Sequence, residues 1–262
     1  MDILVCVKRV PDPAENEICV GPAGADILRD DLVYSVNERD NYAVEEAIQI
    51  VERLGGTVTV VSLGGADAEE VVRREMAMGA GQGLLLTDEA FAGSDGQGVA
   101  SILAAAARKG AYDLILTGAQ ADDGAAQVGG MLAAMLDWPY ASLVNRIEGG
   151  EGQLLIGREI EGGSQELSDI DLPCVLSIQT GINEPRYVGI RGIRKVASVE
   201  IPVLDASSLG LAAGAVGATG ARVRRVDYFV PVAGVRAELL KGSTAELAAQ
   251  LADLLKAKGG LK

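Results

Sequence analysis

The residues whose types and spacing suggest chemistry are Asp122, Asp123, Gly124, Gln127, Val128 and Gly129. They close the run YDLILTGAQADDGAAQVG, residues Tyr112–Gly129. Leu114, Ile115 and Leu116 form an apolar run too short for a helix and suited to a buried strand. Gly118 ends it, an acidic loop rich in Gly and Ala follows, and Gly129 falls at the start of a helical run to Leu136. Strand, small-residue loop and helix start together present backbone N–H groups to an anion. The first helical N–H groups have no intrahelical partner, and the helix dipole adds positive potential. Two readings are open: a nucleotide phosphate rests on those N–H groups, or the loop is a tight acidic turn. In the first reading the carboxylates of Asp122 and Asp123 repel phosphate, so they face ribose or solvent.

Other chemistry is excluded by what the chain lacks. It has no histidine. That removes the usual general base near neutral pH, the commonest metal ligand and every Ser–His or Cys–His arrangement. Carboxylates and lysines remain for acid–base work, but the composition favours a binding or electron-carrying protein over a hydrolase. The net charge of −14 repels a nucleic-acid backbone, and 3% aromatic residues supply few stacking surfaces. No apolar run is long enough to span a membrane. The N-terminus enters a strand without the basic and apolar segments of a secretory signal. Cys6, Cys19 and Cys174 form no close pair, which fits a reducing cytoplasm.

The elements that must position the loop are legible as alternation. Strands are expected at Ile3–Val7, Thr57–Leu63, Gly83–Thr87 and Asp113–Thr117. Helices are expected at Asp40–Arg53, Ala66–Met78, Gly98–Lys109 and Gly129–Leu136, with Asn37 or Asp40 as a cap for the first. Such alternation implies an α/β fold, a mainly parallel twisted sheet flanked by helices, with ligands beyond the carboxyl ends of the strands. After Pro139 the pattern changes. Ala141–Val144, Gln153–Ile160 and Pro173–Gln179 are expected as added, antiparallel strands. From Ile201 the chain reads as an extended arm ending in an amphipathic helix, Thr244–Lys256. The expected division is an adenine-nucleotide-binding domain over 1–200 and a C-terminal arm over 201–262, packed on another surface.

Many separate segments then resemble the β subunit of electron transfer flavoproteins, in the same order. They are VCVKRVPDP (Val5–Pro13), VNERDNYAVEEA (Val36–Ala47), VTVVSLG (Val58–Gly64), MAMGA (Met76–Ala80), GAQADDGAAQVG (Gly118–Gly129), LDWP (Leu136–Pro139), REIEGG (Arg158–Gly163), LPCVLSI (Leu172–Ile178) and NEPRY (Asn183–Tyr187). The likeness covers roughly residues 1–195. Departures include a nucleotide loop one residue shorter than usual and Glu38-Arg39 in place of Pro and an aromatic.

The resemblance implies an electron carrier of two different subunits. The larger α subunit holds the redox-active FAD, and the β subunit binds AMP or, in NADH-oxidising bifurcating members, a second FAD. It places Cys6, Asn37, Asp40, Leu63 and Gly64 against the adenosine portion, beside the loop Asp122–Gly129. Thr87, Ser94 and Asp95 would line the pocket of a full FAD. Tyr187, Ile190, Arg191, Arg194 and Lys195 resemble a docking loop for an acyl-CoA-type dehydrogenase or another flavin or iron–sulfur redox partner. There Ile190 enters an apolar pocket, and the basic group, counted with Arg186, steers an acidic partner. A competing reading is an ATP-binding homodimer of the stress-response type, built on a related sheet.

Overall fold

The computed structural model describes residues 1–121, 124–150, 152–232, 234 and 237–260. Its strands are β1 (Asp2–Cys6), β2 (Arg9–Pro11), β3 (Tyr34–Val36), β4 (Thr57–Leu63), β5 (Gln82–Leu86), β6 (Leu114–Gly118), β7 (Tyr140–Gly149), β8 (Gln153–Ile160), β9 (Ser164–Asp171), β10 (Cys174–Ile178) and β11 (Val203–Leu204). Its helices are α1 (Glu38–Leu54), α2 (Glu69–Met78), α3 (Gly96–Ala107), α4 (Val128–Leu136), α5 (Ile190–Val196), α6 (Gly217–Gly220) and α7 (Thr244–Ala257). Nine strands form one sheet in the order β11-β5-β4-β1-β6-β10-β7-β8-β9, while β2 and β3 make a separate hairpin.

The strands from β11 to β7 are parallel to their neighbours, which requires crossover connections; most are helices, which cover both faces of the sheet, while β7 returns to β10 through β8 and β9. That is why these strands read as continuous apolar runs. Ile3, Val5, Val60, Leu114 and Leu116 pack toward α1 and α2. Leu4, Val61, Ile115 and Val175 pack toward α3 and α4. Each such side chain taken out of water contributes about 1.5–3 kcal/mol. The chain passes from β1 toward β4 and β5, then returns to β6 on the other side of β1. The strand order therefore reverses between β1 and β6, and a crevice opens at their carboxyl ends.

Several elements differ from the sequence reading. β10 lies parallel to both β6 and β7, so within the nine-stranded sheet the antiparallel pairs are β7–β8 and β8–β9. β9 escapes a periodicity reading because SQELSDID is polar and mostly exposed, held by its ladder to β8. The polar loop before α1 contains the hairpin β2–β3. The expected helix at Ala66 begins with a 3-10 turn, Ala66–Ala68, before α2. Asn37 occupies the N-cap of α1 without a side-chain capping bond, because both candidate caps are engaged elsewhere.

The chain divides into two compact units, Met1–Cys19 with Leu28–Val226, and Val20–Ile27 with Asp227–Lys262. In the first, β11 extends the sheet beside β5. In the second, Val20 and Ile27 form an isolated bridge, and Tyr228 donates its N–H to the Gly24 carbonyl at 2.7 Å. Ser243 opens α7 with a capping box: its N–H reaches the Glu246 carboxylate at 2.7 Å while its hydroxyl accepts from the Glu246 N–H. Phe229, Val230, Val232, Leu239, Leu251, Leu254 and Leu255 are exposed.

Candidate nucleotide site and docking segment

The crevice is built around Asp40. Register places Cys6 beside Val61 on one side and Thr117 on the other. Beyond these pairs, the Lys8 N–H donates to Asp40 Oδ2 at 2.8 Å, and the Gly118 N–H donates to Asp40 Oδ1 at 3.0 Å. One carboxylate on the first turn of α1 thus ties together the exits of β1 and β6. Asn37 adds a third tie, its Nδ2 donating to the Gln120 carbonyl at 3.2 Å. Burial pushes the Asp40 carboxyl up to about 6, opposed by the bonds from Asn37, Lys8 and Gly118. Burial, reinforced by the charge of Asp40, lifts the Cys6 thiol well above its ordinary range, so Cys6 is a neutral, half-buried neighbour.

Helix α4 begins at the same edge. Its first intrahelical bond runs from the Met131 N–H to the Gln127 carbonyl, at 3.1 Å. The N–H groups of Val128, Gly129 and Gly130 have no acceptor within the helix, as the first turn requires. Gly129 is fixed by close approach: a Cβ there would collide with Ser177 Oγ and lie 3.0 Å from Thr117 Oγ1. Beneath it runs a chain of hydroxyls, Thr117 to Ser177 at 2.8 Å and Ser177 to Tyr140 at 3.0 Å. The sequence reading missed this chain; its signal was a polar residue inside each of two apolar strands, LILTG and CVLSI. Gln127 lies beside Gly96 of α3, and the Gly124 carbonyl accepts from Gln120 Nε2 at 3.2 Å. Asp122 and Asp123 lie outside the described residues.

Leu63 and Gly64 form the exit of β4. Leu63 is half-buried, and the Gly64 N–H bonds the Leu86 carbonyl at 3.0 Å. A Cβ on Gly64 would approach the Ala68 methyl to 2.9 Å. The site thus combines closely packed glycine backbone at Gly129 and Gly64, first-turn N–H groups of α4 that lack an acceptor within the helix, and an apolar flank of Cys6 and Leu63. This donor set fits a phosphate with an attached nucleoside.

The expected extension toward a full FAD meets groups already engaged. Ser94 Oγ donates to the Phe91 carbonyl and accepts from the Gly217 N–H, both at 2.8 Å. Asp95 caps α3 through Gly98 N–H at 2.9 Å and also accepts from Arg222 and Val223. These bonds hold Asp95 below the usual carboxylate range. Thr87 donates its N–H to the Leu204 carbonyl.

The segment expected to dock a partner, Tyr187–Lys195, is non-helical over Tyr187–Gly189 and then enters the short helix α5. Tyr187 is 92% exposed and Ile190 67% exposed, with Ile193, Arg191, Arg194 and Lys195 also at the surface. Arg186 is different. Its guanidinium reaches Glu45 Oε2 at 2.8 Å and Glu52 Oε1 at 2.7 Å. Both carboxylates belong to α1, so Arg186 is held apart from the surface cations Arg191, Arg194 and Lys195. Burial works to raise Glu45, yet the bonds from Arg186 and Gln49 outweigh it and hold the carboxyl low.

A last buried group lies behind the crevice. Glu75 of α2 is fully buried, and among the described residues its carboxylate oxygens have no hydrogen-bond donor. Arg74 Nε stands 3.6 Å away. Burial pushes Glu75 up to about 8; Arg74 opposes this, and the charges of Asp40 and Glu45 add to it. Among the described residues, no helix is long and apolar enough to cross a membrane.

The pattern of the electron transfer flavoprotein domain matches residues 26–209. The chain is 35% identical to the electron transfer flavoprotein subunit beta of Thermoanaerobacterium thermosaccharolyticum, over 98% of this chain and 99% of that one. It is 36% identical to the corresponding subunit of Methylophilus methylotrophus, over 97% and 98%. It is 34% identical to the Caffeyl-CoA reductase-Etf complex subunit CarD of Acetobacterium woodii, over 98% and 99%.

Proposed function

The chain belongs to the electron transfer flavoprotein β-subunit family, and from that premise we propose that it holds AMP at the exits of β1, β4 and β6. It works as one half of a heterodimeric electron carrier. The observation that carries the nucleotide reading is Gly129 at the start of α4, held down on the Thr117–Ser177 hydroxyls, in a first turn whose N–H groups have no acceptor within the helix. The phosphate rests on those N–H groups, Cys6 and Leu63 flank the base, and Asn37 and Asp40 keep the crevice open. Gly124, Gln127 and Val128 form the rest of the loop.

The FAD held by the α subunit supplies the redox chemistry. This chain braces that subunit through its exposed C-terminal arm and offers α5 to a dehydrogenase. Ile190 enters an apolar pocket on the partner, Tyr187 packs beside it, and Arg191, Arg194 and Lys195 steer the approach. No residue of the chain acts as a catalytic acid or base in this reading. The cytoplasm is the fitting compartment.

AMP is preferred over a second FAD because Ser94 and Asp95 are already bonded to the segment around Gly217–Val223. The likeness to a subunit of a caffeyl-CoA reductase complex favours a second reading, an NADH-oxidising bifurcating subunit with its own FAD. Ligands released from the purified heterodimer decide: one FAD with AMP supports the carrier, and two FAD without AMP overturns it. A homodimer that never recruits a flavin-bearing subunit overturns both.

A further inference from the structure

The segment Tyr187–Lys195 carries a large exposed side chain on either side of Gly189, and its helix is only seven residues long. A helix that short is marginal by itself. What orders it is found at its two ends. Before it, Arg186 makes four side-chain hydrogen bonds to α1: Nε to Glu45 Oε2, Nη2 to Glu45 Oε1, Nη1 to Glu52 Oε1 and Nη2 to Glu52 Oε2, at 2.7–3.1 Å. Its backbone N–H adds a fifth, to Glu45 at 3.1 Å. Three residues earlier, Asn183 Nδ2 bonds the Tyr42 carbonyl and Glu46 Oε2. After the segment, Arg73 of α2 donates from Nη1 to the carbonyls of Val196 at 2.7 Å and Val199 at 3.0 Å. Within it, a Cβ on Gly192 would collide with the Ala77 carbonyl, so α5 lies directly on the end of α2.

We propose that Arg186 is a positioning residue for dehydrogenase docking: a planar two-carboxylate latch on α1 that holds Tyr187 and Ile190 in their partner-facing arrangement. This rests on the reading of Tyr187–Lys195 as the docking segment. The occupant is a redox partner with an apolar pocket and an acidic rim, to match Ile190 and the cations Arg191, Arg194 and Lys195 on an otherwise acidic chain. Arg186 adds nothing to that steering field, because Glu45 and Glu52 more than neutralise it. Its guanidinium geometry suits bidentate grip on both carboxylates, which an ammonium does not reproduce. Ordering the segment before encounter removes an entropic cost from docking.

The same α1 begins at Asn37 and Asp40, so the latch fastens the docking segment to the helix that frames the nucleotide crevice.

The test uses the purified heterodimer, with Arg186→Gln, Arg186→Lys, Glu52→Gln and Ile190→Ala. Glu52 is at the surface, so its variant folds even where the Arg186 variants do not. Amide hydrogen exchange over residues 187–196 and the second-order rate of flavin reduction by a reduced acyl-CoA dehydrogenase are measured across ionic strength. The latch predicts faster exchange in Arg186→Gln, a smaller increase in Glu52→Gln and partial rescue by Arg186→Lys. The reduction rate falls about tenfold in Arg186→Gln at every ionic strength, as the competent fraction falls, with bound nucleotide unchanged. Unaltered exchange in both Arg186→Gln and Glu52→Gln overturns the latch. So does a rate loss confined to low ionic strength, which is the signature of steering. If Ile190→Ala slows reduction while Arg186→Gln does not, the latch fails and docking stands. If Ile190→Ala leaves the rate intact, or this dehydrogenase does not reduce the parent, the docking reading fails for that partner class. Exchange then still judges the latch.

Discussion

Gly118 donates its N–H to Oδ1 of Asp40 at 3.0 Å, and a Cβ on Gly118 would collide with that same oxygen. The two residues are 78 apart in the chain. Their contact fixes where β6 leaves the sheet relative to α1, and the second oxygen of Asp40 does the same for β1 through Lys8. The crevice at the strand reversal is therefore set by a buried carboxylate that spends itself on main-chain donors.

Asp40→Asn keeps one acceptor and turns an amide N–H₂ toward the other backbone donor. The expected loss is about 1–3 kcal/mol of stability, the cost of leaving a buried donor unmet. Adenylate retention in the heterodimer falls with it. Urea unfolding and nucleotide content after gel filtration check both; a variant with parental midpoint and full nucleotide would remove Asp40 from this role.

Gly129→Ala forces a methyl into Ser177 Oγ. Overpacking of this kind costs about 1–3 kcal/mol, and here it lifts the first turn of α4 away from its seat. The variant is expected to lose bound adenylate. Adding Ser177→Ala recovers part of the stability, because it removes the nearest obstructing atom. A thermal melt of the single and double variants reads the recovery.

Glu75 gives the fold a pH dependence of defined sign. Its carboxyl is held neutral to about pH 8 in the folded chain, against an ordinary value near 4.5. Between those values the folded state binds a proton that the unfolded state has released, so stability falls as pH rises across that window. Glu75→Gln carries no such proton. From pH 5 to pH 8 the parent should lose up to about 4 kcal/mol that the variant keeps. Parallel stability curves for the two proteins would contradict this.

Ile190→Ala is expected to slow electron exchange with the dehydrogenase by at least about tenfold, as loss of an apolar anchor from a fitted pocket does. Bound nucleotide stays the same, since Ile190 is on α5 and not in the crevice. Stopped-flow reduction with parallel nucleotide analysis separates the two effects.

The parallel half of the sheet was legible because burial on both faces leaves apolar runs such as DILVC and TVTVVSL. The family likeness was legible for a different reason, the order of many short motifs. β9 was not, since an outer strand pairs through its backbone and its side chains stay polar. α5 was not, because Gly192 weakens a helix by propensity; it is there to clear the Ala77 carbonyl. At the site, sequence identified Asn37 and Asp40 as important but assigned them capping or ligand contact. Their bonds to Gln120, Lys8 and Gly118 join segments far apart in the chain, which local spacing does not encode. Arg186 was counted as free charge for the same reason: Glu45 and Glu52 lie more than 130 positions away.

Phe229, Val230, Val232 and Leu239, close together in the chain, stand exposed to water. A ribosome that releases this polypeptide ahead of anything able to cover those side chains releases a sticky intermediate. If an α subunit covers them, as the proposed heterodimer requires, balanced synthesis of the two subunits, or chaperone capture in the interval, governs how much protein reaches the finished carrier. Recombinant yield should accordingly rise when both genes are translated together and fall, through self-association, when this one is made alone.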